Sequence, residues 1–159
     1  MEFKPETLAK INALRERYPQ RQAALLPVLH LVQKDLGYLS QDTQEAVAAA
    51  LEIPLAAVSE VVSFYTMFYK KPIGKYHIQV CHNISCAIMG AEKVISHLED
   101  KLGVECQIHQ GETTTDGRFT LTRVECLGAC DGAPMAQIND KFALNLTLEK
   151  LDAILKELP

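Results

Sequence analysis

The chain has 159 residues, of which 48% are hydrophobic and 23% charged, and its formal net charge is −4. This composition is typical of a folded globular protein. No basic run occurs, which argues against nucleic-acid binding, and Glu52 and Glu60 interrupt the most apolar region, which argues against direct insertion into a membrane. The start of the chain has no features of a targeting peptide, and five cysteines suit a disulfide framework poorly. We therefore expect a cytoplasmic protein.

The first part of the chain carries apolar residues at helical spacing and is predicted to form a small bundle of four helices. The first helix is predicted from about residue 5 to Pro19. The second ends at Gly37, the third follows Ser40 as its N-cap, and the fourth has Pro54 at its first helical position. The residues predicted to face inward are Leu8, Ile11, Leu14, Tyr18, Leu25, Leu26, Leu29, Val32, Leu36, Val47, Ala50, Leu51, Leu55, Val58, Val61 and Val62.

An aromatic segment, residues 64–69, follows these helices. Phe64, Tyr65, Met67, Phe68 and Tyr69 are too many for one helix face to bury. Packing against the second domain of the chain is one interpretation, and docking of another subunit is the other, because aromatic residues and Met are favoured at interfaces. Different residues of the segment can serve each role.

A linker at residues 70–74 divides the chain into an N-terminal helical domain, 1–72, and a second domain, 73–159. In the second domain, strands are predicted at 76–80, 104–108, 119–124, 135–139 and 142–144, with helices at 87–102 and 148–158 and a turn at 113–117. This order resembles a thioredoxin-like domain with a mixed sheet. The predicted fold class is α+β, a small helical bundle followed by a thioredoxin-like α/β domain.

Four cysteines lie in two short loops, each at the end of an apolar run. Four residues separate Cys81 from Cys86, and three separate Cys126 from Cys130. Structural zinc sites most often pair cysteines two residues apart. A binuclear iron–sulfur cluster is wider and binds two cysteine pairs. Small residues near the second pair leave backbone N–H groups free to approach inorganic sulfide; they are Gly128, Ala129, Gly132 and Ala133.

These spacings favour a 2Fe–2S cluster held by Cys81, Cys86, Cys126 and Cys130. Two alternatives stay open: a zinc-stabilised interaction module, and a thiol–disulfide oxidoreductase that uses one cysteine pair. The fifth cysteine, Cys106, alternates with apolar strand residues and is predicted to be a buried hydrophobic residue.

Other polar residues give no sign of a catalytic site. His82 neighbours a ligand cysteine, but a Rieske-type site has two histidines in place of two cysteines. Glu125 and Asp131 flank the second loop without a nucleophile or base to accompany them. No glycine-rich nucleotide-binding loop is present. The remaining histidines form no constellation in the sequence; they are His30, His77, His97 and His109.

The two loops, Val80-Cys-His-Asn-Ile-Ser-Cys86 and Val124-Glu-Cys-Leu-Gly-Ala-Cys130 with the following Ala133-Pro134, resemble the E subunits of bacterial NADH:quinone oxidoreductase, respiratory complex I. The segments Val61-Val-Ser-Phe-Tyr65, Gly111-Glu112 and Thr115-Asp-Gly117 resemble them as well. The resemblance covers nearly the whole chain.

The resemblance implies an electron-transfer subunit with one 2Fe–2S cluster, whose ligands match Cys81, Cys86, Cys126 and Cys130. It implies docking to the F subunit, which holds FMN and NADH, beside other peripheral-arm subunits at the inner face of the cytoplasmic membrane. The chain then belongs to an oxidoreductase without a substrate site of its own. Related subunits serve NAD-linked hydrogenases and formate dehydrogenases, so an equivalent subunit of such a host is the alternative.

Overall fold

The computed structural model describes residues 2–108 and 111–158, and His109 therefore lies outside the described residues. The chain divides into two compact units, Met1–Pro72 and Ile73–Pro159. Within the described residues, no helix combines the length and the apolar character needed to cross a membrane.

The first unit is helical. Its helices are α1, Pro5–Glu16; α2, Leu25–Leu36; α3, Gln41–Leu51; and α4, Leu55–Phe64, and a 3₁₀ turn at Arg21–Ala24 precedes α2. The four predicted helices are confirmed, with two differences at their ends. Helix α1 ends before Tyr18, and Pro54 is the N-cap of α4 and not its first helical residue.

Local chemistry explains where these helices end. Gly37 ends α2 in the left-handed region at φ 85°, where a residue without Cβ is favoured. The Ser40 hydroxyl caps α3 by accepting a hydrogen bond from the N–H of Thr43 at 3.2 Å. Glu52 follows α3 at φ 55° and forms ion pairs with Arg15 and Arg21. These arginines, Arg21 above all, lower the pKa of the Glu52 carboxyl.

The core of the first unit comes from the apolar faces of all four helices. It includes Ile11, Leu25, Leu29, Val32, Val47, Leu51, Val58, Val62 and Phe68. Four residues predicted to face inward are instead exposed, namely Leu8, Tyr18, Leu26 and Leu36. They lie at the edges of the apolar stripes, where helical periodicity does not separate a half-buried side chain from a buried one.

The second unit is built on a mixed sheet. Its strands are β1, Tyr76–Cys81; β2, Gln107–Ile108; β3, Glu112–Thr113; β4, Phe119–Val124; β5, Ala136–Ile138; and β6, Lys141–Ala143. The strand order is β2-β4-β1-β5-β6, and β3 also pairs with β4. Strand β4 runs parallel to β1 and to β2, whereas the other pairs are antiparallel. The predicted mixed sheet and α+β class are confirmed.

The helices of this unit are α5, Ile84–Ile88; α6, Ala91–Leu102; and α7, Leu148–Glu157. The single helix predicted at 87–102 is wrong, because the chain forms two helices that are separated at Gly90, whose φ is 95°. The strand predicted at 104–108 is reduced to its last two residues, and Thr113 belongs to a strand and not to the turn.

The core of the second unit lies between one face of the sheet and helices α6 and α7. It includes Ile78, Val80, Val94, Ile95, Leu98, Phe119, Leu121 and Leu151. A hydrogen bond of 2.8 Å between His97 Nε2 and Asp152 Oδ1 joins the two helices at the surface. Alternation along β1 and β4 places His77 on the opposite face, where its Nε2 is 2.8 Å from Thr122 Oγ1.

Candidate metal centre

The ends of β1 and β4 bring the two cysteine loops together. Cys81 and Val124 are opposite each other at the last position of these parallel strands, and the N–H of His82 donates to the carbonyl of Val124 at 3.2 Å. Parallel strands end at the same edge of a sheet. The first loop, residues 81–86, and the second loop, residues 126–130, therefore begin side by side although they are far apart in sequence.

The first loop turns its two cysteines toward the protein interior. Asn83 caps α5, because its Oδ1 accepts a hydrogen bond from the N–H of Ile84 at 2.8 Å. This short helix carries Cys86, which is 1% exposed, while Cys81 at the end of β1 is 3% exposed. Both sulfur-bearing side chains lie in a small apolar cluster with Met135, and the N–H of Cys81 donates to the Met135 carbonyl at 3.2 Å.

The second loop presents its two cysteines at the surface. Cys126 and Cys130 are both exposed, and their Sγ atoms are 3.6 Å apart. Gly128 lies between them at φ 79°, and its N–H donates to Cys126 Sγ at 3.4 Å. The left-handed backbone favours glycine here, and it directs a backbone donor at the sulfur.

Close packing explains why a glycine, Gly132, follows the second loop. A Cβ built on this residue would lie 2.8 Å from Leu144 Cβ and 2.9 Å from Leu144 Cδ2. The sequence-based interpretation held that small residues give the backbone access to the cluster. At Gly132, the structure shows in addition a close approach to the side chain that follows β6.

The four thiols influence one another electrostatically. Burial raises the pKa of the Cys86 thiol, and the neighbouring Cys81 and Cys130 raise it further. The hydrogen bond and the charge of Cys126 raise the pKa of Cys130, and Cys81 contributes as well. Four thiolates in this space need compensating positive charge, and metal binding to cysteine is coupled to thiol deprotonation in this way.

The spacing of the exposed cysteine pair suits two thiolates that share one metal ion. Two sulfurs on one tetrahedral ion, with bonds of about 2.3 Å, are about 3.8 Å apart, close to the 3.6 Å between Cys126 and Cys130. Across residues 2–108 and 111–158, no three His, Cys, Asp or Glu side chains are grouped so that they could hold a single ion. A 2Fe–2S cluster uses a pair of thiolates on each iron. The residues present fit that group.

The sequence placed His82 and Glu125 beside the candidate ligands but did not predict the contacts between polar side chains of the two loops. Asn83 Nδ2 donates to Glu125 Oε2 at 2.8 Å, and Glu125 Oε1 is 3.6 Å from His82 Nε2. The neighbouring Ser85 side chain lowers the pKa of the Cys130 thiol, against the larger effect of the other cysteine in its loop. Asn is a preferred N-cap residue, and recognising the short helix that begins after Asn83 would have been the sequence signal for its role.

The nearest arginine before the second loop is already paired. Arg123 Nη1 and Nη2 donate to the two carboxylate oxygens of Glu92 at 3.2 and 2.9 Å, and Arg123 Nε donates to the carbonyl of Cys106 at 3.0 Å. The hydrogen bonds that Arg123 donates to Glu92 raise the pKa of Arg123. Its positive charge is therefore largely neutralised by the carboxylate.

Cys106 lies apart from the other four cysteines. It is 5% exposed and packs in the apolar core of the second unit. Burial raises the pKa of the Cys106 thiol to about 12. The prediction that Cys106 is a buried hydrophobic residue is confirmed.

Together, a mixed sheet flanked by helices and a surface site of two cysteine pairs define a ferredoxin of thioredoxin-like fold. Residues 11–159 match the family described as thioredoxin-like 2Fe-2S ferredoxin, and the chain belongs to that family. It is an iron–sulfur protein that carries a 2Fe–2S cluster. The family resemblance drawn from the sequence is confirmed.

Individual relatives are named as E subunits of NADH-quinone oxidoreductase. The chain is 45% identical over 147 residues to such a protein, numbered 2, from Rhizobium meliloti (strain 1021), covering 92% of this chain and 85% of the relative. It is 40% identical over 159 residues to the E subunit from Rickettsia bellii (strain RML369-C), covering 98% and 93%.

Among solved structures, the chain is similar in fold to the NAD⁺-reducing NiFe-hydrogenase in its air-oxidised state. The TM-score is 0.70 with 24% sequence identity, and the match covers 84% of this chain and 22% of the hydrogenase chain. The chain thus spans about a fifth of that hydrogenase chain, and the similarity concerns the fold.

Proposed function

We propose that the chain is the electron-transfer subunit of an NADH:quinone oxidoreductase, in which Cys81, Cys86, Cys126 and Cys130 hold its one 2Fe–2S cluster. The observation that carries this proposal is the parallel register of β1 and β4, which end together at Cys81 and Val124 and so bring both cysteine pairs to one edge of the sheet. The names of relatives that align over nearly the whole chain support the host complex.

The two cysteine pairs differ in their surroundings, and this difference gives each pair a role. A bound 2Fe–2S cluster accepts and releases one electron at a time. Cys81 and Cys86 hold their side of the site in apolar surroundings with Met135, which exclude water. Cys126 and Cys130 hold the exposed side. A partner's cofactor can approach the exposed side, because the chain itself covers the other.

The partner in this proposal is the F subunit of the same complex, which binds flavin and NADH. A 2Fe–2S cluster takes one electron at a time, so the two electrons of a hydride from NADH must first pass to a cofactor such as flavin, which its protein positions and tunes. The chain then exchanges single electrons with FMN on that partner and has no catalytic residues of its own. It lies with the other peripheral-arm subunits in the cytoplasm, at the inner face of the cytoplasmic membrane.

The domain organisation and the alternative host belong to the same proposal. The boundary between Pro72 and Ile73 separates two domains, a helical domain and a ferredoxin domain that contains all four ligands. The alternative host, an NAD-linked hydrogenase or formate dehydrogenase, is favoured by the fold of the hydrogenase chain. The sequence relatives favour the quinone oxidoreductase, because their alignments cover most of both proteins.

The purified chain tests the cluster, and its partner tests the host. We expect a red-brown protein with about two iron and two acid-labile sulfide per chain. NADH should bleach its visible absorbance only when the flavin-binding partner is added. A colourless protein that contains zinc would support the interaction module, and a metal-free protein that reduces disulfides would support the oxidoreductase. Co-purification of the chain with hydrogenase or formate dehydrogenase subunits would show that the alternative host is correct and the proposed host is not.

A further inference from the structure

A side-chain hydrogen bond outside the sheet joins the first cysteine loop to the residue directly before the second loop. Asn83 uses both ends of its side-chain amide: Oδ1 accepts from Ile84 N–H at 2.8 Å, and Nδ2 donates to Glu125 Oε2 at 2.8 Å. The second oxygen of Glu125 is 3.6 Å from His82 Nε2. A single carboxylate, directly before Cys126, therefore contacts two residues of the first loop.

The position of this hydrogen bond allows it to restrain the distance between the two loops. The pairing of β1 with β4 ends at Cys81 and Val124, and beyond that point the loops leave the sheet. Asn83 lies between Cys81 and Cys86, and Glu125 lies between Val124 and Cys126. A hydrogen bond at this position restrains the distance between the two loops where the strand hydrogen bonds no longer do so. Site geometry of this kind is set by residues that do not themselves bind the metal.

The charge of Glu125 opposes cluster binding, which makes its position informative. A cluster with four thiolates is anionic, and a nearby carboxylate adds repulsion. A carboxylate supplies two acceptor oxygens, however, and here each oxygen lies toward a different residue of the first loop. Glutamine at this position could still accept the Asn83 hydrogen bond, but it would lack the charge. Hydrogen bonding and charge can therefore be separated by substitution.

We propose, on the basis of the ligand set proposed above, that Glu125 is a positioning residue for the cluster. Through the inter-loop hydrogen bond, Asn83 Nδ2 to Glu125 Oε2, it holds the loop of Cys126 and Cys130 against the loop of Cys81 and Cys86 and slows the loss of iron. Glu125 touches neither a substrate nor a reacting atom in this role.

The test compares the rate of iron loss in variants of the full-length holoprotein. Glu125→Ala removes the acceptor of the inter-loop hydrogen bond. Asn83→Ser removes the donor of this hydrogen bond but keeps an N-cap for α5. Glu125→Gln keeps an acceptor and loses the charge. Glu157→Ala, at the last position of α7 and outside both loops, is the matched control for losing an exposed carboxylate. Iron is captured by bathophenanthroline disulfonate after reduction with dithionite, and loss of the visible absorbance gives the rate.

We expect Glu125→Ala and Asn83→Ser each to lose iron about fivefold faster, the effect of one partly exposed hydrogen bond to a charged group. The double variant should be no faster than either single variant, because both remove the same bond. Glu125→Gln should keep the wild-type rate while its reduction potential rises, and Glu157→Ala should change neither quantity.

Three results would overturn the proposal: a wild-type rate in Glu125→Ala, an equally fast rate in Glu125→Gln, or rate increases that multiply in the double variant. If Glu125→Ala does not accumulate as holoprotein, Asn83→Ser and Glu125→Gln carry the same comparison. A wild-type protein without iron and acid-labile sulfide would contradict the proposed function, whereas a wild-type cluster with unchanged variant rates would contradict only the role of Glu125.

Discussion

Cys81 and Val124 lie opposite each other at the end of two parallel strands. The proposed ligand Cys81 is therefore aligned with a residue only two positions before another proposed ligand, Cys126. This pairing fixes where both loops begin. The sheet, which is the rigid part of the second unit, thus determines the approach of the two cysteine pairs.

Serine substitutions should separate the four proposed ligands from the fifth cysteine. Cys86→Ser and Cys126→Ser should lose most of the iron and the visible absorbance, because each removes one thiolate from a different loop. Cys106→Ala should keep both, since Cys106 packs in the apolar core. Iron, acid-labile sulfide and the visible spectrum are the measurements. A Cys106→Ala protein that folds but is colourless would contradict the ligand assignment.

Ser85 should raise the reduction potential of the cluster. Its side chain lowers the pKa of the Cys130 thiol, and a hydrogen bond from its hydroxyl to this proposed ligand sulfur would stabilise the more negative reduced state. If that bond strengthens by about 1 kcal/mol on reduction, Ser85→Ala lowers the potential by about 40 mV. Ser85→Thr, which keeps the hydroxyl, is the control. Potentiometric EPR titration measures both, and an equal or higher potential in Ser85→Ala would exclude this role.

His77 should make the second unit less stable in acid. Burial lowers the pKa of His77 from 6.5 to about 4. Between these two pH values, the unfolded chain binds a proton at His77 and the folded chain does not. The contribution of His77 to the free energy of unfolding is therefore full above pH 6.5 and decreases as the pH falls toward 4, by about 3 kcal/mol in total. His77→Gln should reduce this pH dependence. The free energy of unfolding in guanidinium is measured for the wild type and His77→Gln at pH 7 and pH 5. An equal decrease between the two pH values in both proteins would contradict this role of His77.

The aromatic segment should contain one residue for folding and one for partner binding. Phe68 is 4% exposed in the helical core, whereas Phe64 is 77% exposed. Phe68→Ala should destabilise the first unit by about 3–5 kcal/mol. Phe64→Asp should leave folding and colour unchanged but weaken co-purification with the flavin-binding partner, since exposed aromatic residues are favoured at interfaces. Undiminished co-purification of Phe64→Asp would limit the segment to a structural role.

Residues 73–159 should fold and bind the cluster without the helical unit. This part of the chain has its own apolar core and contains all four proposed ligands. The expected result is a coloured fragment with the EPR signal of the full chain. Expression of residues 1–72 as a separate helical fragment is the complementary experiment. A fragment 73–159 that is insoluble or colourless would contradict the proposed domain boundary.

Periodicity predicted the elements that repeat over several residues and failed for the short ones. Strands β1 and β4 have clear alternation, and both were found. Helix α5 was missed because it has only five residues and its exposed Ile84 and Ile88 do not form an inward-facing stripe. Strand β2 was predicted too long because Val104 and Cys106 alternate in burial without belonging to a strand.

The cysteine spacing predicted the candidate site, but its supporting residues depended on tertiary structure. The parallel pairing of β1 with β4 joins segments far apart in sequence, and no local pattern specifies it. The contact between Asn83 and Glu125 spans 42 positions and follows from that pairing. Sequence spacing therefore indicated which residues are proposed as ligands, whereas the fold indicated which residues contact the loops that carry them.

The burial of Cys106 has a consequence for how the holoprotein is made. A thiol must lose its proton to bind iron or to attack a disulfide. With a pKa raised to about 12, Cys106 stays protonated at cellular pH. Once the chain has folded, Cys106 is therefore a weak competitor for iron and a slow nucleophile toward disulfides, because it packs in the apolar core of the second unit and not with the cysteines of the two loops. The grouped thiols of the two loops, which are proposed to form one site, are thereby favoured over the fifth thiol when iron binds.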